Sequence, residues 1–234
     1  MDTELETIKE SAVATQEVAK AASNAIDAGR EMGGFVSRFI SAPLEQGVGI
    51  LEDKLKFMRW ERQLRFIQKA NELLEQQALG APDVPVPLKN AIPLLEYASL
   101  EENDSLQNMW AQLLVNGTQS STGVNLERSF IEILSQISAL EAKILMAVYS
   151  LPFEASRHSG VLTYSLPEQA IVSDDSADES SDPSHEVAMG LANLARLGCL
   201  KFGFTWGGGE TFSRINPTLM GFEFTKACTA KIKI

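Results

Sequence analysis

One apolar stripe sets the terms for this chain. Val36, Ile40, Leu44, Val48, Leu51 and Leu55 recur at intervals of three and four, the spacing that places side chains on one face of an α-helix. The stripe crosses Pro43, which a helix tolerates in its first turn because the missing N–H has no intrahelical acceptor there. The pattern predicts a helix that begins near Ser41-Ala42-Pro43, runs to about Gln77 and ends at the breaker Gly80-Ala81-Pro82. Its second half is two-faced. At 100° per residue, Lys54, Arg59, Arg62, Arg65 and Lys69 fall within an arc of about 140°, and Phe57, Trp60, Leu64, Ile67 and Leu74 fall opposite. A helix with that much apolar surface on one side must bury it against others, which predicts a helical bundle.

The punctuation after this helix divides the rest of the chain. APDVPVP at 81–87 reads as an extended, stiff connector. Helices are expected at 88–99, 104–116 and 126–136, with Asp104 as an N-cap, Gly117 as a stop and Asn116 capping its own helix, and the loop TQSSTGVN at 118–125 is turn-forming. Ser138-x-x-Glu141 is a capping-box pattern opening a helix that Pro152 ends. A boundary is placed near 137. Beyond it come an irregular segment with a short strand at 161–165, an acidic polar run at 173–186 read as a loop, and a helix over 186–197. A hairpin follows, with strands Cys199–Trp206 and Thr211–Ile215 around three glycines, and a last helix starts after Pro217. The order helix, connector, helix, two-stranded hairpin, helix is that of a winged-helix domain. The fold class expected is thus mainly α: an N-terminal helix within 1–30, a helical bundle over 31–137, and a winged-helix-like α+β module over 138–234. The 3–30 stretch is Ala-rich, with a thin stripe of Leu5, Ile8, Ala12, Val18, Ala22 and Ile26. Such a helix is marginal alone and either frays or docks.

Charge narrows the partners. The net charge of −11 repels nucleic acid and anionic lipid unless it is segregated, and it is: residues 51–80 carry five acids and six bases, whereas 81–137 carry seven acids and two bases. The basic face at Lys54, Arg59, Arg62, Arg65 and Lys69 can meet phosphates, an anionic membrane or an acidic protein, or pair with Glu52, Asp53, Glu61 and the acidic 101–104 turn. In the winged-helix-like module the candidate contact residues are Asn193, Arg196, Trp206 and Arg214. A recognition helix needs Arg, Lys, Asn or Gln on its open face, and Asn193 and Arg196 sit among Glu186, Met189 and Gly190. Trp206 reads either as a partner anchor or as one half of an aromatic pair with Phe212 or Phe204.

Catalytic chemistry finds no foothold. His158 and His185 lie in polar segments, the two cysteines, Cys199 and Cys228, lie elsewhere and read as reduced, buried thiols, and no metal-ligand or nucleophile spacing occurs. Glu101, Glu102 and Asp104 could gather a cation, but acidic helix starts are common for dipole reasons. No cofactor, metal or catalytic residue is expected. The acidic start MDTELETIKE is not a signal peptide, and Gly33–Leu51, interrupted by Arg38, Pro43 and Glu45, is not a membrane span. A cytoplasmic protein is expected.

The run from Leu95 through Trp110 and Leu114 to Ser129-Phe130, then from Leu134 to Leu145, resembles the core of the Abi-alpha family, bacterial proteins associated with abortive infection of phage-infected cells. The resemblance covers roughly 43–228 and is sharpest over 88–145, where LEYASLEENDSLQNMWAQLLVNG is its most specific block. The acidic run at 173–186 departs from the family pattern. The resemblance implies antiviral defence of the abortive-infection type and supplies no catalytic residue. The function expected is a non-enzymatic protein-interaction component of that defence. Its partner is a protein, and self-association is open. The alternatives are a DNA-binding winged-helix regulator using 186–214 and a membrane-surface effector using 31–69.

Overall fold

In a computed structural model the chain is described at residues 34, 38–41, 60–173, 181–204 and 207–230, apart from the side chains of 41, 60, 61, 63 and 64. The expected 3–30 helix, residues 42–59 of the expected long helix with Lys54 and Arg59, the acidic residues 174–180 and Trp206 lie outside the described residues. Ile40 of that helix's stripe and Ser41 at its expected start are strand and not helix, because their backbone pairs with Val86 and Pro87. What is described is mainly helical with a small antiparallel sheet.

The first layer is helical. Helix α1, Trp60–Gln76, packs on α3, Asp104–Gly117, and on α2, Leu88–Leu100. Phe66, Ile67, Ala70 and Leu74 of α1 are buried; Ile67 and Leu74 belong to the expected apolar face, whereas Phe66 falls inside the arc expected to be basic, so the buried face is turned toward that side. Short strand β1, Ile40–Ser41, pairs in parallel with β2, Val86–Pro87, which ties the expected connector into the bundle. The connector is held again at its start. Asp83 and Val84 donate their backbone N–H groups to Thr118 O, and Ser120 N–H donates to Asp83 Oδ1 at 2.7 Å.

Helix α2 contains Pro93, and proline removes the bond to the carbonyl four residues back. That carbonyl, Lys89 O, instead accepts from Arg128 Nη1 at 3.2 Å. Arg128 opens α4, Arg128–Leu134, so the proline helps fix where α4 docks. Helix α4 is shorter than the expected 126–136. Leu126 packs under Gly117, where an added Cβ would lie 2.7 Å from Leu126 Cβ, and Leu126 O accepts from Asn90 Nδ2, so the segment before Arg128 serves packing instead of helix.

The N-cap of α3 is Asn103 and not Asp104. Its side chain accepts from Ser105 and Leu106 N–H, and Asp104 becomes the first-turn acid that the helix dipole favours. The capping box at α5, Ala139–Tyr149, is present as expected, with Ser138 and Glu141 bonded reciprocally. Helix α5 ends at Tyr149, and Pro152 caps a further helix, α6, Phe153–Ser159, in the segment expected to be irregular.

The sheet is larger than the expected two-stranded hairpin. Strands β3, Val161–Leu162, and β4, Ile171–Val172, join β5, Leu200–Phe204, and β6, Glu210–Pro217, in the order β4-β3-β6-β5. Ile215 faces Val161 on one side and Phe202 on the other, so β6 is an interior strand. Helix α7, His185–Arg196, packs on α5 and β5, and α8, Leu219–Ala227, packs on α5 and α3. Thus His185 lies in α7 and His158 in α6, and neither belongs to a loop. One apolar cluster runs from Phe39 and Phe66 through Trp110, Ile131, Ile144 and Leu191 to Phe224.

Candidate functional site

The predicted basic face divides. Arg62 Nη2 lies 2.5 Å from Glu102 Oε1, and Lys69 Nζ donates to Asp104 O at 3.4 Å, so two of the cations turn onto the acidic turn between α2 and α3. Arg65 is exposed on the same helix. This pairing follows from α1 lying along α3, and an exposed pair of this kind contributes about 1 kcal/mol at most.

The predicted contact residues of α7 are already engaged. Asn193 Nδ2 donates to Gln136 O at 3.0 Å and to Glu141 Oε1 at 2.7 Å. Arg196 donates from Nε and Nη2 to Asn193 Oδ1, at 3.0 and 2.7 Å, and from Nη2 to Gln136 Oε1 at 3.0 Å. Glu141 is 6% exposed, and its other oxygen accepts the Ser138 backbone N–H. A carboxylate so placed needs every one of these donors. The approach of α7 to α5 depends on Gly190, where a Cβ would sit 3.2 Å from Glu141 Cγ. Arg214 is exposed on β6, away from this cluster in the chain and not bonded to it. Phe212 pairs with Phe202, ring centroids 4.7 Å apart, and Phe204 is exposed near the hairpin turn.

Two features escaped the sequence reading. The first is an open groove of about 730 Å³ where α1, α3 and α5 meet the end of α8. Leu73, Met109, Ala142, Met146 and Cys228 give it an apolar wall, Gln112 and Thr229 supply amide and hydroxyl, and Lys143 and Glu168 line it with opposite charges. Its volume is in the range of ligand sites. No sequence signal announces it, because its walls come from segments far apart in the chain.

The second is a chain of amides behind that groove. Gln77 Nε2 donates to Gln112 Oε1 at 2.8 Å, and Gln112 Nε2 donates to Asn116 Oδ1 at 3.0 Å. Asn116 Nδ2 donates to Ala227 O at 2.9 Å and to Thr229 O at 2.8 Å. Asn116 therefore caps the C-terminus of α8 and not that of its own helix, where the terminal residue of the cap is Thr118.

Cys199 and Cys228 are free and buried, as expected from their number. Burial pushes the Cys199 thiol up to about 12, with the Glu141 charge adding to it, and pushes Cys228 well above the ordinary thiol value. Burial likewise raises Tyr149 to about 12, although Thr218 N–H donates to its oxygen. All three groups ionise more readily in the unfolded chain than in the fold. The stability they confer is fully present below the unfolded values, near 9 for the thiols and 10 for the phenol, and is lost as pH rises toward 12. Urea midpoints should accordingly be flat between pH 7 and 8.5 and fall steeply above pH 9.5, and a midpoint unchanged at pH 10.5 would contradict this.

Among the described residues no group of three His, Cys, Asp or Glu side chains is placed to hold a metal ion, and no helix is long and apolar enough to cross a membrane. A family model described as abortive infection alpha matches residues 61–228. No curated protein and no solved structure matches the chain.

Proposed function

Since the chain belongs to the abortive infection alpha family, we propose that it acts in abortive-infection-type defence against phage as a cytoplasmic protein-interaction component and not as an enzyme. In this reading residues 138–234 form a winged-helix-like module that docks on protein. The observation that carries it is the engagement of Asn193 and Arg196. The side chains of α7 that suit base edges are spent on Gln136 and Glu141, and specific DNA readout needs such groups free. The same helix presents Met189, 61% exposed, and the hairpin presents Phe204, 72% exposed. Large exposed apolar side chains of this kind are the usual anchors of protein contacts. The order of α5, α6, β3, α7, the hairpin and α8 supports the winged-helix-like description.

Phage plating with and without the gene tests the setting. Protection at a low phage-to-cell ratio, with collapse of the culture at a high ratio, is expected. No protection against a broad phage panel overturns it. A gel shift separates the modes: low-salt DNA retention that Arg196→Ala or Arg214→Ala weakens would replace protein docking with DNA binding. Turnover of nucleotide or nucleic acid by the purified chain, lost on changing one groove residue, would replace it with catalysis.

A further inference from the structure

The turn at Gly198 sets two exposed apolar side chains at one end of the structure. Gly198 takes φ +77°, and Cys199 N–H donates to Leu194 O at 2.9 Å, which closes the end of α7. Helix α7 and strand β5 meet at this turn and pack on each other, so the strand runs back along the helix. Met189 lies about 12 Å from the turn along the helix, and Phe204 lies about 16 Å from it along the strand. Both therefore sit at the end away from Gly198. Phe204 is the most exposed of the large apolar side chains described, and Met189 is 61% exposed.

The charge around them has one sign. Glu186 precedes Met189 by three residues and is its neighbour on the surface of α7. Glu210 is the cross-strand partner of Phe204, and Cβ atoms in such a pair are about 5 Å apart. Asp182 lies just before Ser184, the N-cap of α7, at the same end. All three acids are exposed, and none has an ion-pair partner among the described residues. The sequence places no cation there. Residues 173–195 hold six acids and 202–213 hold one, and neither stretch contains Lys or Arg. The bases next along the chain lie toward the turn: Arg196 is bonded to Gln136 and Asn193, and Lys201 stands at the start of β5 opposite Asn216.

Acids so placed repel the phosphates of nucleic acid and of anionic lipid. They suit a cationic protein surface. A guanidinium or ammonium can pair with Glu210 while resting on the Phe204 ring, and an aliphatic side chain can pack on the adaptable Met189 thioether.

We propose that Met189 and Phe204, flanked by Asp182, Glu186 and Glu210, form the docking surface for a basic segment of a partner protein. This rests on the docking reading above and adds the partner's chemistry: an apolar side chain flanked by Lys or Arg. The apolar contacts supply affinity, and the acids steer and select the partner.

Methyl NMR of the full-length chain, labelled at its methionines, tests this. The probe is a synthetic amphipathic peptide of lysine and leucine, and the control is the same peptide with glutamate in place of lysine. The Met189 methyl signal is expected to shift with the lysine peptide at low salt, to lose that shift at high salt and to ignore the glutamate peptide. Met109 and Met146 of the groove and Met220 of α8 are expected to stay in place. Glu186→Lys together with Glu210→Lys should weaken binding at least about tenfold. Phe204→Ser, a change at an exposed position, should weaken it with the charges intact. No shift at Met189, an equal shift with the glutamate peptide, or binding untouched by the charge reversals overturns the proposal. A shift at Met146 in place of Met189 also overturns it and moves the docking surface to the groove, leaving the docking reading standing. A Met189 shift produced by duplex DNA overturns both.

Discussion

Gly221→Ala is expected to be the most damaging glycine-to-alanine change among the described residues. A Cβ at that position would overlap the Tyr149 hydroxyl and the backbone carbonyl of Cys199, both closer than real Cβ atoms come to any neighbour. Neither can yield cheaply. The Tyr149 hydroxyl donates to Cys199 O at 2.5 Å and accepts from Thr218 N–H at 3.0 Å, and the tyrosine ring is held against Phe153 and Phe222. Cys199 O is the backbone just before β5. Overpacking usually costs about 1–3 kcal/mol, and here, with backbone as the obstacle, more than about 3 kcal/mol is expected. In a domain of this size that lowers the melting temperature by roughly 6–12 °C. Tyr149→Phe should cost about 1–2 kcal/mol by leaving Thr218 N–H and Cys199 O unpaired. The double variant should be less unstable than the sum of the two, yet well below the parent, because Cys199 O remains in the way. Thermal melts of the three proteins check this. A Gly221→Ala melt within about 2 °C of the parent, about half a kcal/mol at this size, would show that α8 does not approach α5 so closely.

Asn116→Asp should be nearly as severe, although it changes no volume. Asn116 is 2% exposed and its amide nitrogen donates to two carbonyls at the end of α8. A carboxylate has no donor, so it would face those carbonyls with like polarity and carry a buried charge. The cost expected is about 3–5 kcal/mol at pH 7. Protonation restores one donor, so the deficit should shrink as pH falls from 7 to 5. Asn116→Leu keeps the bulk and leaves the carbonyls without the amide donor, while Gln112 Nε2 keeps only its longer bond to Gln77 Oε1, for about 2–3 kcal/mol. Urea unfolding at the two pH values separates the variants. Equal losses for Asp and Leu, both independent of pH, would mean that the amide bonds contribute little.

What could be read beforehand was whatever is local in the chain. The capping box at Ser138 and Glu141, the end of α1 before Gly80 and the glycine-centred hairpin all depend on neighbours within a few residues. The slip from Asn103 to Asp104 arose because both side chains can cap, and only the backbone angles choose between them. Helix α6 and strands β3 and β4 were missed or blurred because seven residues, or two, are too few to show a period. The roles of Asn116 and Asn193 were hidden for a different reason. Each is defined by a partner brought in by tertiary packing, Thr229 and Glu141 respectively, whereas the pairing of Arg62 with Glu102 was among the readings the charge pattern left open. The groove was illegible on the same ground.

The order in which strands and helices meet has a consequence for how the protein is made. A ribosome delivers Asn116 111 residues before Ala227, its acceptor, and delivers β3 before β6, the interior strand that joins it to the hairpin. Until α8 leaves the exit tunnel, the nascent chain holds α3 with its amide unanswered and part of its apolar face uncovered. Contacts so distant in sequence close slowly, and the interval is one in which a growing chain needs protection from its neighbours. Folding thus waits on the delivery of α8, and a chain cut short before it would be unable to lock.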